Sequence, residues 1–181
     1  MAALGRAAVV VTVVVALGAV VVGALLPREV AVVRAIDVAA PRAAVLALVA
    51  DLQRFAEWSP WFESEGDVIV TFPQPGPGVG QSVDWASGPP APVAGHATIV
   101  RIDGDGVEIS LDLGGLGPAS AWFAVSDSGP VTIVTWGVRT DLGPNPLAHY
   151  LGPRIESLVG RDIERGLLRL KAIVEVQPVI G

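Results

Sequence analysis

Residues Ala7 to Leu26 (AAVVVTVVVALGAVVVGALL) run without one charged side chain. At ~1.5 Å per residue a helix of this length rises roughly 30 Å, the thickness of bilayer hydrocarbon. Valine is a mediocre helix former in water. In lipid the backbone must satisfy its own hydrogen bonds, so there the run takes helical form. Pro27 and Arg28 end it. Val22-Gly23-Ala24 resembles a signal-peptide cleavage site, but the apolar run is long for a signal core, which favours an uncleaved anchor. A lipoprotein is excluded, because the chain has no cysteine to acylate. The sequence therefore predicts one N-terminal transmembrane helix over residues 1–28 and a membrane location by a single pass. Arg6 argues for one orientation, and Arg28, Arg34 and Arg42 for the other, so the side of the domain stays open.

The same block explains a composition of 51% hydrophobic and 17% charged residues in 181. Outside it the mixture of polar and apolar residues is ordinary, and the remainder is long enough to bury a core. Without cysteine there are no disulfides, thiolate zinc sites or cysteine nucleophiles. The net charge is −6. Between Asp37 and Asp141 the only basic residues are Arg42, Arg54, Arg101 and Arg139, and acidic residues far outnumber them. Phosphate neutralisation needs the opposite balance, which excludes nucleic acid as partner.

Past the apolar block, Glu29–Val38 reads as a strand. Pro41 can open a helix. Val45, Leu48, Val49 and Leu52 then mark one apolar helical face. The aromatic cluster Phe55, Trp58, Trp61 and Phe62 turns the chain around Ser59-Pro60. From Asp67 the period becomes two: Val68–Phe72, Gln81–Ala86, Ala94–Ile102, Val107–Leu113, Ala119–Ser126 and Val131–Thr140 read as strands. Gly-, Pro- and Asp-rich turns separate them. Leu151, Ile155, Leu158, Val159, Ile163, Leu167, Leu170 and Val174 form one broad helical stripe. Pro144, Pro146, Gly152 and Pro153 are expected to keep the chain before Arg154 irregular or only partly helical. The order is strand, helix, antiparallel meander, long helix: an α+β domain over 29–176 with a short tail at 177–181.

This order resembles the START-like helix-grip superfamily, and more closely its bacterial polyketide cyclase/dehydrase (SRPBCC) branch. The resemblance rests on Ala40-Pro41 followed by Val45–Asp51 and Glu57-Trp58-Ser59-Pro60-Trp61, and on Val134-Thr135-Trp136-Gly137. It continues through Asn145-Pro146-Leu147, Val159-Gly160, Asp162, Glu164, Gly166-Leu167 and Leu170-Lys171. It implies an antiparallel curved sheet wrapped around a long C-terminal helix, with a deep apolar cavity between them. Members include lipid carriers, cyclases, hydrophobic-ligand receptors and chaperone activators, so fold alone names no activity. Pro153 and the glycine-rich Gly114–Pro118 depart from the pattern.

Groups that move protons are few. His96, in a strand, is the one candidate catalytic base if it points inward; His149 reads as a loop residue at the cavity rim, near the start of the last helical segment. No nucleophile elbow, P-loop, dinucleotide or metal-ligand pattern is present, so neither metal nor cofactor is expected. Indoles suit the wall of an apolar pocket. Trp58, Trp61, Trp85 and Trp136, with His96 and Leu158, are the expected ligand-binding set. Trp122 has the parity of the opposite sheet face. Arg101 and Arg139 are candidate anchors for a carboxylate, although a solvated position is commoner for strand arginines. The expected function is a membrane-tethered domain that binds a hydrophobic small molecule or lipid. The alternatives are a cyclase or dehydratase type of enzyme and a regulatory interaction protein without ligand.

Overall fold

The computed structural model describes residues 2–62, 68–74, 76–88, 94–113 and 118–176. Residues 114–117 of the glycine-rich stretch Gly114–Pro118 and the tail at 177–181 lie outside the described residues. Among the described residues, four helices and seven strands follow the expected order: α1 (Ala2–Leu25), β1 (Glu29–Val38), α2 (Arg42–Val49), α3 (Leu52–Phe55), β2 (Val68–Gln74), β3 (Ser82–Ser87), β4 (Ala94–Asp103), β5 (Gly106–Asp112), β6 (Pro118–Ser128), β7 (Val131–Asp141) and α4 (Gly152–Val176). The strands form one antiparallel sheet in the order β1-β7-β6-β5-β4-β3-β2. Chain neighbours pair except at one point, where β1 joins β7 and closes the meander on its first strand. The helix-grip architecture expected from the sequence is present.

Inward positions alternate along each strand as period two requires. Val32, Val83, Ala97, Ile109, Phe123, Val134 and Trp136 are buried, and so are Ile163, Leu167, Leu170 and Val174 on one stripe of α4. Two glycines let α4 come close. A Cβ at Gly166 would lie 2.6 Å from the Trp136 ring, and one at Gly160 would lie 2.6 Å from the Arg34 guanidinium. Arg34 instead donates from Nε to Glu164 at 2.7 Å, across the β1–α4 seam.

The helix expected through Leu52 is broken in two. Asp51 is extended, at φ −130°, and its carboxylate accepts from the Gln53 N–H at 3.0 Å and from the Gln81 amide at 2.8 Å. Gln81 is 2% exposed, and its carbonyl accepts from the Leu52 N–H at 2.8 Å. A side chain that bonds nearby N–H groups competes with helix continuation. Here it stops α2, caps α3 and ties both to the start of β3. Val45, Leu48, Val49 and Leu52 are buried despite the break. The other departure lies before α4. A short 3-10 turn, Ala148–Leu151, runs directly into a helix that begins at Gly152, two residues before the expected irregularity ends. Pro153 is accommodated because a first-turn proline forfeits no helical hydrogen bond.

The apolar N-terminal run is helical, but the membrane expectation is corrected. Among the described residues no helix is long and apolar enough to cross a membrane. The apolar run belongs to α1, Ala2–Leu25. Its last turns are also committed to the domain. The Tyr150 hydroxyl donates to the Ala19 carbonyl at 2.8 Å, and His149 Nδ1 lies 2.9 Å from the Gly23 carbonyl oxygen. His149 Nε2 faces a second carbonyl, that of Gly143, at 3.1 Å. Single-pass anchoring, a membrane location and a membrane partner are not supported.

Candidate functional site

The inner face of the sheet is filled at one end and hollow at the other. Register sets the difference. Trp136 lies opposite Phe123 and Phe123 opposite Val107, so large rings meet across β7, β6 and β5. Phe55 and Trp58 descend on them from α3 and the turn that follows. Ring centroids are 5.2 Å apart for Phe123–Trp136, 5.3 Å for Trp58–Trp136 and 4.3 Å for Phe55–Trp58. Edge-to-face and tilted contacts of this kind add about 0.5–1.5 kcal/mol per pair beyond burial. Two residues further along, Val138 lies opposite Ala121, Ala121 opposite Ile109, and Ala97 opposite Leu111 and Val83. Alanines replace rings, and nothing in the sheet fills the space.

That space is a cavity of about 210 Å³ whose floor includes Ala97, Ile109, Ala121 and Val138. Trp61, Phe55 and Val159 close it from above, and every described lining residue is apolar. Trp85 forms its far wall. Its indole lies across Gly95, its register partner on β4, and occupies the position a side chain there would take. A second cavity of about 420 Å³ adjoins, between the start of β1, the end of β7, the 3-10 turn and the first half of α4. The two share Leu113, Val138 and Val159 as lining residues. The first falls short of the roughly 300–1,000 Å³ of ligand pockets, and the second lies within it.

The expected ligand-binding residues fall in different places. Trp61 and Trp85 line the first cavity, and Leu158 lines the second. Trp58 and Trp136, both 0% exposed, belong to the filled end and line neither. His96 projects from the outer face, because its neighbours Ala97 and Ile99 are the inward residues. There it forms a cross-strand cluster. Nδ1 lies 2.5 Å from the Asp84 carboxylate, and Nε2 lies 2.8 Å from the Thr98 hydroxyl. Trp122 is also on the outer face, where it covers Gly137 and carries the Arg139 guanidinium 5.7 Å from its ring centroid. Arg101 pairs with Glu108 at 3.2 Å. Neither Arg101 nor Arg139 reaches the cavities. The residues that make the hollow, Ala97 and Ala121 above all, carry no chemical signature. Their signal is small size at inward parity on adjacent strands.

The clearest electrostatic feature flanks the second cavity. Arg28 donates two hydrogen bonds of 2.6 Å to Asp141, and the Gly143 N–H adds a third at 2.8 Å. These bonds, the Arg28 guanidinium first, hold the Asp141 carboxyl below the usual carboxylate range and raise Arg28 above its own.

Residues 29–175 match the family model described as polyketide cyclase / dehydrase and lipid transport. Comparison with curated proteins finds no match. Among solved structures, the di-domain ARO/CYC StfQ from the steffimycin biosynthetic pathway superposes with a TM-score of 0.64 at 12% identity, over 81% of this chain and 51% of that one. This chain thus spans about half the length of StfQ. Ara h 8.0201 gives a TM-score of 0.61 at 12% identity, over 82% of this chain and 99% of the other. TTHA0849 from Thermus thermophilus gives 0.60 at 16%, over 80% and 96%. At such identities the likeness is one of fold.

Proposed function

The chain belongs to the polyketide cyclase / dehydrase and lipid transport family, and on that premise we propose that it holds a hydrophobic small molecule, lipid- or polyketide-like, between the sheet and α4. One observation carries the reading. The first cavity is lined by apolar side chains alone among the described residues, on a floor left hollow by alanines. An apolar guest there gains about 25 cal/mol for each Å² it removes from water. No described lining residue of that cavity can give or take a proton, which favours holding over converting. His96, the one base the sequence offered, lies on the other side of the sheet.

The test uses the whole chain and the neutral fluorophore N-phenyl-1-naphthylamine. Saturable binding with a blue-shifted emission is expected. Ala121→Phe, which puts a ring where Val138 and Ile109 face a methyl group, should weaken binding by about tenfold or more while leaving the circular dichroism spectrum unchanged. Undiminished binding by a folded Ala121→Phe protein would remove the cavity from consideration.

A further inference from the structure

The second cavity has a cation at its edge. Arg154 lines it beside Thr140, Ile155 and Leu158, and stands exposed in the first turn of α4. Arg28, Arg34, Arg42, Arg54, Arg101 and Arg165 each pair with a carboxylate. Arg154 has no ion pair or hydrogen bond among the described residues, and the first turn of α4 contains no acid. A positive side chain there also works against the helix dipole. Asp141, next to the cavity residue Leu142, is already held by Arg28. This cation at the apolar rim thus has no ion-pair partner among the described residues. Leu113, Val138 and Val159 line both this cavity and the first.

Resting on the binding reading above, we infer that the two cavities form one bipartite site for an anionic amphiphile, a long-chain carboxylate. The hydrocarbon tail passes Val138 and Val159 into the alanine-floored cavity, and the carboxylate is received by the Arg154 guanidinium. A guanidinium matches a carboxylate with two parallel N–H···O bonds, and such charge-assisted bonds are about twice as strong as neutral ones. Two physically separate features, an apolar chamber and an unpaired cation, thus specify the two ends of one ligand.

The experiment compares decanoate with decanol by calorimetry on the whole chain. The alcohol shares the tail and lacks the charge. Decanoate is expected to bind at least about fivefold more tightly than decanol. Arg154→Gln should abolish that preference, read as the ratio of the two affinities. Arg154→Lys should keep part of it, and Arg161→Gln, on the same helix outside both cavities, should keep all of it. Equal affinity for acid and alcohol, or a preference that survives Arg154→Gln, overturns the anionic site and leaves the hydrophobic-binding reading standing. Failure of both probes to bind overturns that reading and this inference with it.

Discussion

Trp136 faces Phe123 across the β6–β7 ladder, and two residues further along the same strands Val138 faces Ala121. Backbone, sheet and covering helix are common to both ends. The opposed side chains differ in volume and Trp58 adds a ring on Trp136, so one end is a close-packed aromatic core and the other a chamber. Close packing and open volume are thereby assigned to adjacent rows of one sheet. A packed interior loses contact energy on every side of a removed ring. A wall that already faces empty space loses it on fewer sides.

The largest effect should come from breaking the filled end. Trp136→Ala removes a fully buried indole in contact with Phe55, Trp58 and Phe123, and is expected to cost about 3–5 kcal/mol by urea denaturation. A loss below about 1 kcal/mol would erase the distinction between the ends. An intermediate effect should come from Gly95→Val. The new side chain occupies the place of the Trp85 indole and drives it into the chamber. The expected cost is about 1–3 kcal/mol, with weakened N-phenyl-1-naphthylamine binding and a changed Trp85 environment in near-ultraviolet circular dichroism. Unaltered probe binding would show that Trp85 is no part of the wall.

The smallest effect lies outside both rows. Because its carboxyl is depressed in the folded chain, Asp141 contributes stability that is present above the unfolded carboxylate pKa of about 3.9. That contribution is lost as pH falls through the lower folded value. Asp141→Asn should therefore lower stability slightly at neutral pH, as expected for an exposed pair, and the two proteins should converge in strong acid, which flattens the acid limb of the variant. An identical acid limb in the variant would mean that the Arg28–Asp141 bridge contributes nothing in solution.

Period and turn chemistry made the sheet legible. The alternation of Val107, Ile109 and Leu111 with Glu108, Ser110 and Asp112 set the inner face of β5 correctly, and parity placed Trp122 outside. The same parity argument places His96 outside, since Ala97 and Ile99 are the inward residues of β4. Depth along the strand was not legible. Whether an inward tryptophan joins a core or a cavity wall depends on what faces it across the ladder. Register fixes that, and the sequence leaves register unstated. Trp136, opposite Phe123, and Trp85, opposite Gly95, illustrate the point. The break at Asp51 was hidden for a similar reason, because its partner Gln81 is distant in the chain. The membrane expectation followed from the length of an uncharged run. The domain's hold on the end of that run, through His149 and Tyr150, depends on contacts more than a hundred residues apart in sequence.

The 3-10 turn Ala148–Leu151 has two clients. His149 and Tyr150 reach the carbonyls of Gly23 and Ala19 in the N-terminal helix, while Ala148 and Leu151 form part of the wall of the second cavity. Four consecutive residues cannot be ordered for one client and loose for the other. By linkage, any guest that tightens this turn strengthens the docking of the N-terminal helix, and docking strengthens retention of the guest by the same factor. The packing of the first helix and the shape of the second cavity thus rest on the same turn.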